Sequence, residues 1–124
     1  MIPAIPVAPV NNRHTIVPKA TPSLLDFYGL FPTNPPDGSN FAVKLGNTSV
    51  GAEAERIRYT IRVPVNDTNF SIKYDYAVVF ENPGHTLWTQ PRFNAKILDS
   101  ATNTYITCAS FEYIATSALP GFQV

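Results

Sequence analysis

The sequence predicts an all-β protein, an antiparallel β-sandwich, and three observations carry that expectation. Apolar and polar residues alternate over 41–45, 57–63, 70–80, 93–97 and much of 105–114, which gives each run one face for a core and one for water. Clusters of Asn, Asp, Gly, Pro, Ser and Thr separate the runs, and these are turn-forming residues. No helical pattern of convincing length stands between them, and no segment repeats at a fixed period, which sets propellers and solenoids aside. Five or more strands joined by turns build a sandwich, with jelly-roll and immunoglobulin topologies both open at this point.

Residues 1–36 hold eight of the twelve prolines. Proline removes an amide donor and disfavours helix at the residue before it, so this stretch is expected as an extended lead-in. A first strand is expected at 13–17 (RHTIV), and Ser23 is placed to cap a single helical turn over 23–28. The run TNPPDG at 33–38 marks the entry to the regular part, so residues 37–124 are expected as the sandwich core of a single domain. Phe41, Val43 and Leu45 define the next strand, ended by Gly46 and Asn47, which tolerate positive φ. Ile57, Tyr59, Ile61 and Val63 then alternate with Arg56, Arg58, Thr60 and Arg62. In a neutral domain that arginine row reads as a solvated face rather than an anion-binding stripe. Pro64 closes the strand, NDTN at 66–69 turns the chain, and residues 70–80 form the following strand. Residues 74–80 and 93–97 are expected as two strands of one sheet, joined by the loop 81–91. That loop is too long for a tight hairpin turn and too polar for a core strand. After Asp99, SATN at 100–103 turns into strands at 105–108 and 111–114, and LPGF at 119–122 forms a terminal segment.

The composition narrows the classes of function. Nine Lys plus Arg balance nine Asp plus Glu, leaving no broad positive field for nucleic acid. No apolar run approaches the roughly 18–20 residues of a membrane span, so membrane insertion is not expected. The opening MIPAIPVAPV lacks a basic region, an unbroken apolar run and a small-residue cleavage site, so it is not read as a signal peptide. Cys108 stands alone in a strand-like run and is expected as a buried, inert thiol.

Several pieces in order resemble a known pattern: GSNFAVKLGN at 38–47, GAEAERIRYTIRV at 51–63, YAVVFENPGHTLWTQPRF at 76–93, and Cys108 followed by ALPGF at 118–122. Together they resemble the non-repetitive β-sandwich domain near the start of very large cell-surface adhesins of gliding Bacteroidetes, which leave the cell by type IX secretion. The resemblance spans roughly residues 13–122. It implies a secreted, cell-surface location, a role in surface adhesion and gliding motility, contact with glycans or external surfaces, and neighbouring domains in a larger chain. The strand order is also similar to jelly-roll sandwiches related to carbohydrate-binding modules, which favours jelly roll over immunoglobulin topology. No catalytic set comes with this family.

The residues themselves point the same way. Catalysis needs a nucleophile with its base, paired carboxylates or an open metal site. His14 and His85 lie in no G-x-S-x-G or H-E-x-x-H pattern. Glu81 and Asp99 stand at opposite ends of the loop and its following strand. About seven strand residues at ~3.3 Å each exceed the roughly 5–9.5 Å between glycosidase carboxylates. The chain is therefore read as no enzyme. The loop offers Glu81, Asn82, His85, Trp88 and Gln90: sugar rings stack on a flat indole, while amides and carboxylates take their hydroxyls. The plainer alternative has Trp88 packed over the sandwich end and His85 donating to a loop carbonyl. A Ca²⁺ ion would take oxygen ligands, for which Asp37, Glu81, Asn82 and Asp99 are the candidates. Asp99-Ser100-Ala101 resembles the D-[ST]-aliphatic site of Bacteroidetes O-glycosylation, with Ser100 as acceptor in an expected exposed turn.

Overall fold

The computed structural model describes residues 8–49 and 51–120. The opening residues 1–7 and the end of LPGF, at Gly121 and Phe122, lie outside the described residues, as does Val50. Among the described residues the protein is all-β, with four strands and no helix: β1 (His14–Pro18), β2 (Phe41–Leu45), β3 (Arg92–Asp99) and β4 (Thr104–Ile114). They pair antiparallel in two two-stranded sheets, β1 with β2 and β3 with β4. The chain divides into two compact units, one up to Tyr76 and one from Ala77 onward.

In the first unit Ile16 pairs with Val43 at the centre of the β1–β2 ladder. The ladder is prolonged by the amide of Lys19 donating to Asn40 (2.8 Å) and that of Gly46 donating to Arg13 (2.9 Å). Gly46 takes φ 84°, a left-handed conformation that glycine adopts without a Cβ penalty and that ends the strand where the sequence places the end. Between the strands, Asn34 acts as a substitute backbone: its Oδ1 accepts from the Ala20 amide at 2.9 Å and its Nδ2 donates to the Ala20 carbonyl at 2.8 Å. The helical turn expected over 23–28 does not form. Leu25 bridges to Pro32, the Thr33 amide donates to Leu24, and Asp26 Oδ1 accepts from the amides of Tyr28 and Gly29. An Asp two residues before a turn competes with a helix for those amides.

Arg13 ties the start of β1 to the segment that follows β2. Its Nε donates to Glu55 Oε1 at 2.7 Å, its Nη2 lies 2.7 Å from the same oxygen, and Nη2 also donates to the carbonyl of Ala54 at 3.3 Å. Residues 57–63 and 70–80, expected as strands, join neither sheet. The chain doubles back between them, with the Asp67 amide donating to Pro64 at 3.0 Å, and a shallow cleft of about 340 Å³ opens where Ile61, Val63, Phe70 and Ile72 converge. A period of two says which face a strand would bury; a ladder also needs a neighbour in register. For the same reason the expectation that 74–80 and 93–97 are two strands of one sheet is corrected: 93–97 lies in β3, which pairs with β4, and 74–80 joins neither sheet.

In the second unit β3 alternates as the sequence predicts, with Phe93, Ala95 and Ile97 half-buried and Arg92, Asn94 and Lys96 exposed. Phe111 stacks at a tilt against Phe93 and Tyr113, with ring centroids 6.1 and 5.4 Å away. The ladder slips midway: Ala95 faces Phe111 and Ile97 faces Ile106, so Lys96 alone stands opposite Thr107, Cys108, Ala109 and Ser110. Ser110 Oγ spans this bulge by donating to the Ile106 carbonyl at 2.8 Å. The sequence divides the region into 105–108 and 111–114; the molecule makes one strand with a bulge at the division. Cys108 sits in that bulge and is exposed, not buried, because the extra residues lift it out of the ladder. Ala115, 1% exposed, is the buried apolar residue that closes this sheet, its amide donating to Pro91.

Candidate functional site

The connection from 81 to 91 is held by its own polar groups. Asn82 begins a turn in which its Oδ1 accepts from the Gly84 amide at 3.1 Å. Gly84 sits at φ 71° with open space where a Cβ would point, so its requirement is conformational rather than steric. The same Asn82 Oδ1 accepts from Gln90 Nε2 at 2.8 Å, which pins the two ends of the loop together. A second turn closes over 86–89. There the Thr89 amide donates to the Thr86 carbonyl at 2.9 Å, and Thr89 Oγ1 to the same oxygen at 3.1 Å. His85 Nδ1 lies 3.5 Å from the Thr89 carbonyl oxygen.

At the apex of this framework stands Trp88, 84% exposed, next to an exposed Leu87. Their backbone is anchored from the sheet. Arg92, the first residue of β3, donates from Nη2 to the carbonyls of Leu87 (3.0 Å) and Trp88 (3.1 Å), and its Nη1 meets Glu112 Oε1 of β4 at 3.4 Å. The result is a flat apolar ring presented to solvent on a loop fastened at both ends.

The sequence-predicted residues divide accordingly. Glu81, Asn82, His85 and Trp88 are exposed on the loop. Gln90 is buried, 9% exposed, with Nε2 turned to Asn82 and Oε1 lacking a hydrogen-bond partner. Trp88 is not packed over the sheet end, whereas His85 does meet a loop carbonyl. Of the cation candidates, Asp37 belongs to the first unit and Glu81, Asn82 and Asp99 to the second. Asp37 accepts from the amide and hydroxyl of Ser39, both at 2.9 Å, and these bonds hold its carboxyl below the ordinary carboxylate range. Asp99 accepts from Thr102 Oγ1 and the Ala101 amide, both at 2.8 Å, with the same effect and Thr102 the larger cause. These oxygens are engaged in local turns. Among the described residues no three His, Cys, Asp or Glu side chains gather as metal ligands. Ser100 is exposed in the β3–β4 turn, which Asn103 completes at φ 56°.

The residue that sequence reasoning passed over is Arg92. In the sequence it is marked only as a polar residue before Phe93 and as part of QPRF at 90–93; its role depends on two backbone carbonyls that no side-chain pattern reveals. No family model, curated protein or solved structure matches this chain.

Proposed function

We propose that this chain is a non-catalytic β domain of a secreted cell-surface adhesin, contacting glycans or external surfaces during adhesion and gliding through the loop that carries Trp88. The observation that carries the reading is the 84% exposure of Trp88 on a loop held by Asn82, Gln90 and Arg92. A flat indole on an ordered support offers a sugar face a large, rigid contact area at little cost in ordering. The ordered resemblance from LGN at 45–47 to LPGF at 119–122 supports the adhesin setting, and the motif order similar to carbohydrate-binding modules is the ground for proposing a jelly-roll sandwich. The same exposed indole supports a second reading, a carbohydrate-binding module attached to a polysaccharide-degrading enzyme. Ser100, exposed beside Asp99, is proposed as an O-glycan acceptor in either setting.

The test is a glycan array probed with the full chain and with Trp88→Ala. A central aromatic contact is worth about 2 kcal/mol or more, or roughly thirtyfold in affinity, so binding should fall by that factor. The melting temperature should hardly move, because an exposed side chain changes stability by only about ±0.5 kcal/mol. Retention of one polysaccharide class would favour the enzyme-attached module, and broad glycan binding the adhesin. Equal binding by Trp88→Ala and the parent chain would refute the contact through Trp88.

A further inference from the structure

Arg92 joins three things that a simple surface arginine would not. One nitrogen of its guanidinium serves the carbonyls of Leu87 and Trp88, at 3.0 and 3.1 Å, and another meets Glu112 on the neighbouring strand at 3.4 Å. Arg92 itself is fixed at the start of the β3–β4 ladder, opposite Ile114. The planar guanidinium therefore runs from the sheet to the backbone of the exposed ring's own residue. A recognition loop that is mobile before binding loses that freedom when it binds; one already fastened does not. Lysine would keep the charge, but its tetrahedral ammonium lacks the flat fork that reaches carbonyls and carboxylate together.

We propose that Arg92 is a positioning residue that fixes the backbone of Leu87 and Trp88 against the sheet and so presents the Trp88 ring, pre-ordered, to a neutral glycan. The glycan part rests on the contact assigned to Trp88 above; the fastening of the loop does not. Glu112 orients the guanidinium from the far side, and its loss should matter less, because the two carbonyl bonds remain.

Trp88 is the one tryptophan of the chain, so its fluorescence reads this loop directly. The 124-residue chain and its Arg92→Met, Arg92→Lys, Glu112→Gln and Trp88→Ala variants would be compared, with far-UV circular dichroism to establish folding. Steady-state anisotropy would be measured without sugar on the chains that keep Trp88, and calorimetric binding with cellohexaose, xylohexaose and chitohexaose on all of them. Arg92→Met should lower anisotropy and weaken binding of whichever hexaose the parent binds by about three- to tenfold, the equivalent of ordering one or two side chains. Arg92→Lys, the milder variant should the methionine change disturb folding, should fail to restore the parent anisotropy, and Glu112→Gln should stay close to the parent. Parent-like anisotropy in both Arg92 variants would overturn the positioning role even if Trp88→Ala abolishes binding. Lowered anisotropy in the Arg92 variants would sustain that role even if Trp88→Ala binds the hexaoses as well as the parent, an outcome that would defeat only the glycan contact.

Discussion

At the scale of single residues, short polar side chains do in this protein what longer elements do elsewhere. Asp99 accepts from Thr102 and Ala101, and so closes the turn from β3 to β4. Those two bonds favour its ionised form and depress its carboxyl below the ordinary aspartate value of about 3.9, with Thr102 the first cause. A group whose folded-state pKa lies below its unfolded one contributes stability above the unfolded value and loses it as pH falls through the folded one. Asp99→Asn keeps an acceptor but removes the charge. The variant should therefore melt below the parent near neutral pH, and the gap should close as both are acidified through and below the ordinary carboxylate range. Thermal melts of the pair across that range check it; a gap that stays constant into strong acid would show that the ionised form contributes nothing.

Among the elements, Arg13 is the fastening between the β1–β2 ladder and the segment at 53–55. Glu55 is its main partner, at 2.7 Å with a side chain only 12% exposed, and Glu53 stands farther, at 3.5 Å. Such a pair lies between a solvated surface bridge and a buried one, so Arg13→Met should cost about 1–2 kcal/mol. Urea unfolding should show that loss, little weakened by added salt because the Glu55 carboxylate is mostly shielded from water. Glu53→Gln should cost only a few tenths of a kcal/mol, roughly the surface value. The elements also show which structure is legible in a sequence. β2, β3 and β4 are readable because alternation, a closing Gly46 and the 100–103 turn mark them locally. Residues 57–63 and 70–80 alternate as cleanly, yet join no ladder, because periodicity cannot supply a partner strand. The candidate site is half legible in the same way: Trp88 declares itself by residue type, while Arg92 acts through carbonyls four and five residues away in the chain.

For the whole molecule, order is unevenly spread. Ala115 is the buried apolar residue among the described residues, and large side chains from Ile57 to Tyr76 stand well exposed, Tyr59 at 84%. Two-stranded sheets are marginal without a packed face, so protection should follow the ladders rather than the apolar content. Amide exchange can separate these, because exchange rates report local opening and local opening follows hydrogen bonding and burial. The ladder-paired amides of β3 and β4 on either side of the 107–110 bulge should exchange slowest, above all those beside the aromatic face of Phe93, Phe111 and Tyr113. Those of β1 and β2 should come next, their ladder being five residues long and backed by Arg13. Amides over 57–63 and 70–73 should exchange close to the rate of an unstructured chain, despite an alternating pattern as clean as that of the strands. Protection of that segment equal to β3 and β4 would mean that it pairs in solution, either within the chain or between copies. Dilution separates those two cases, since only the second loses protection as the protein concentration falls.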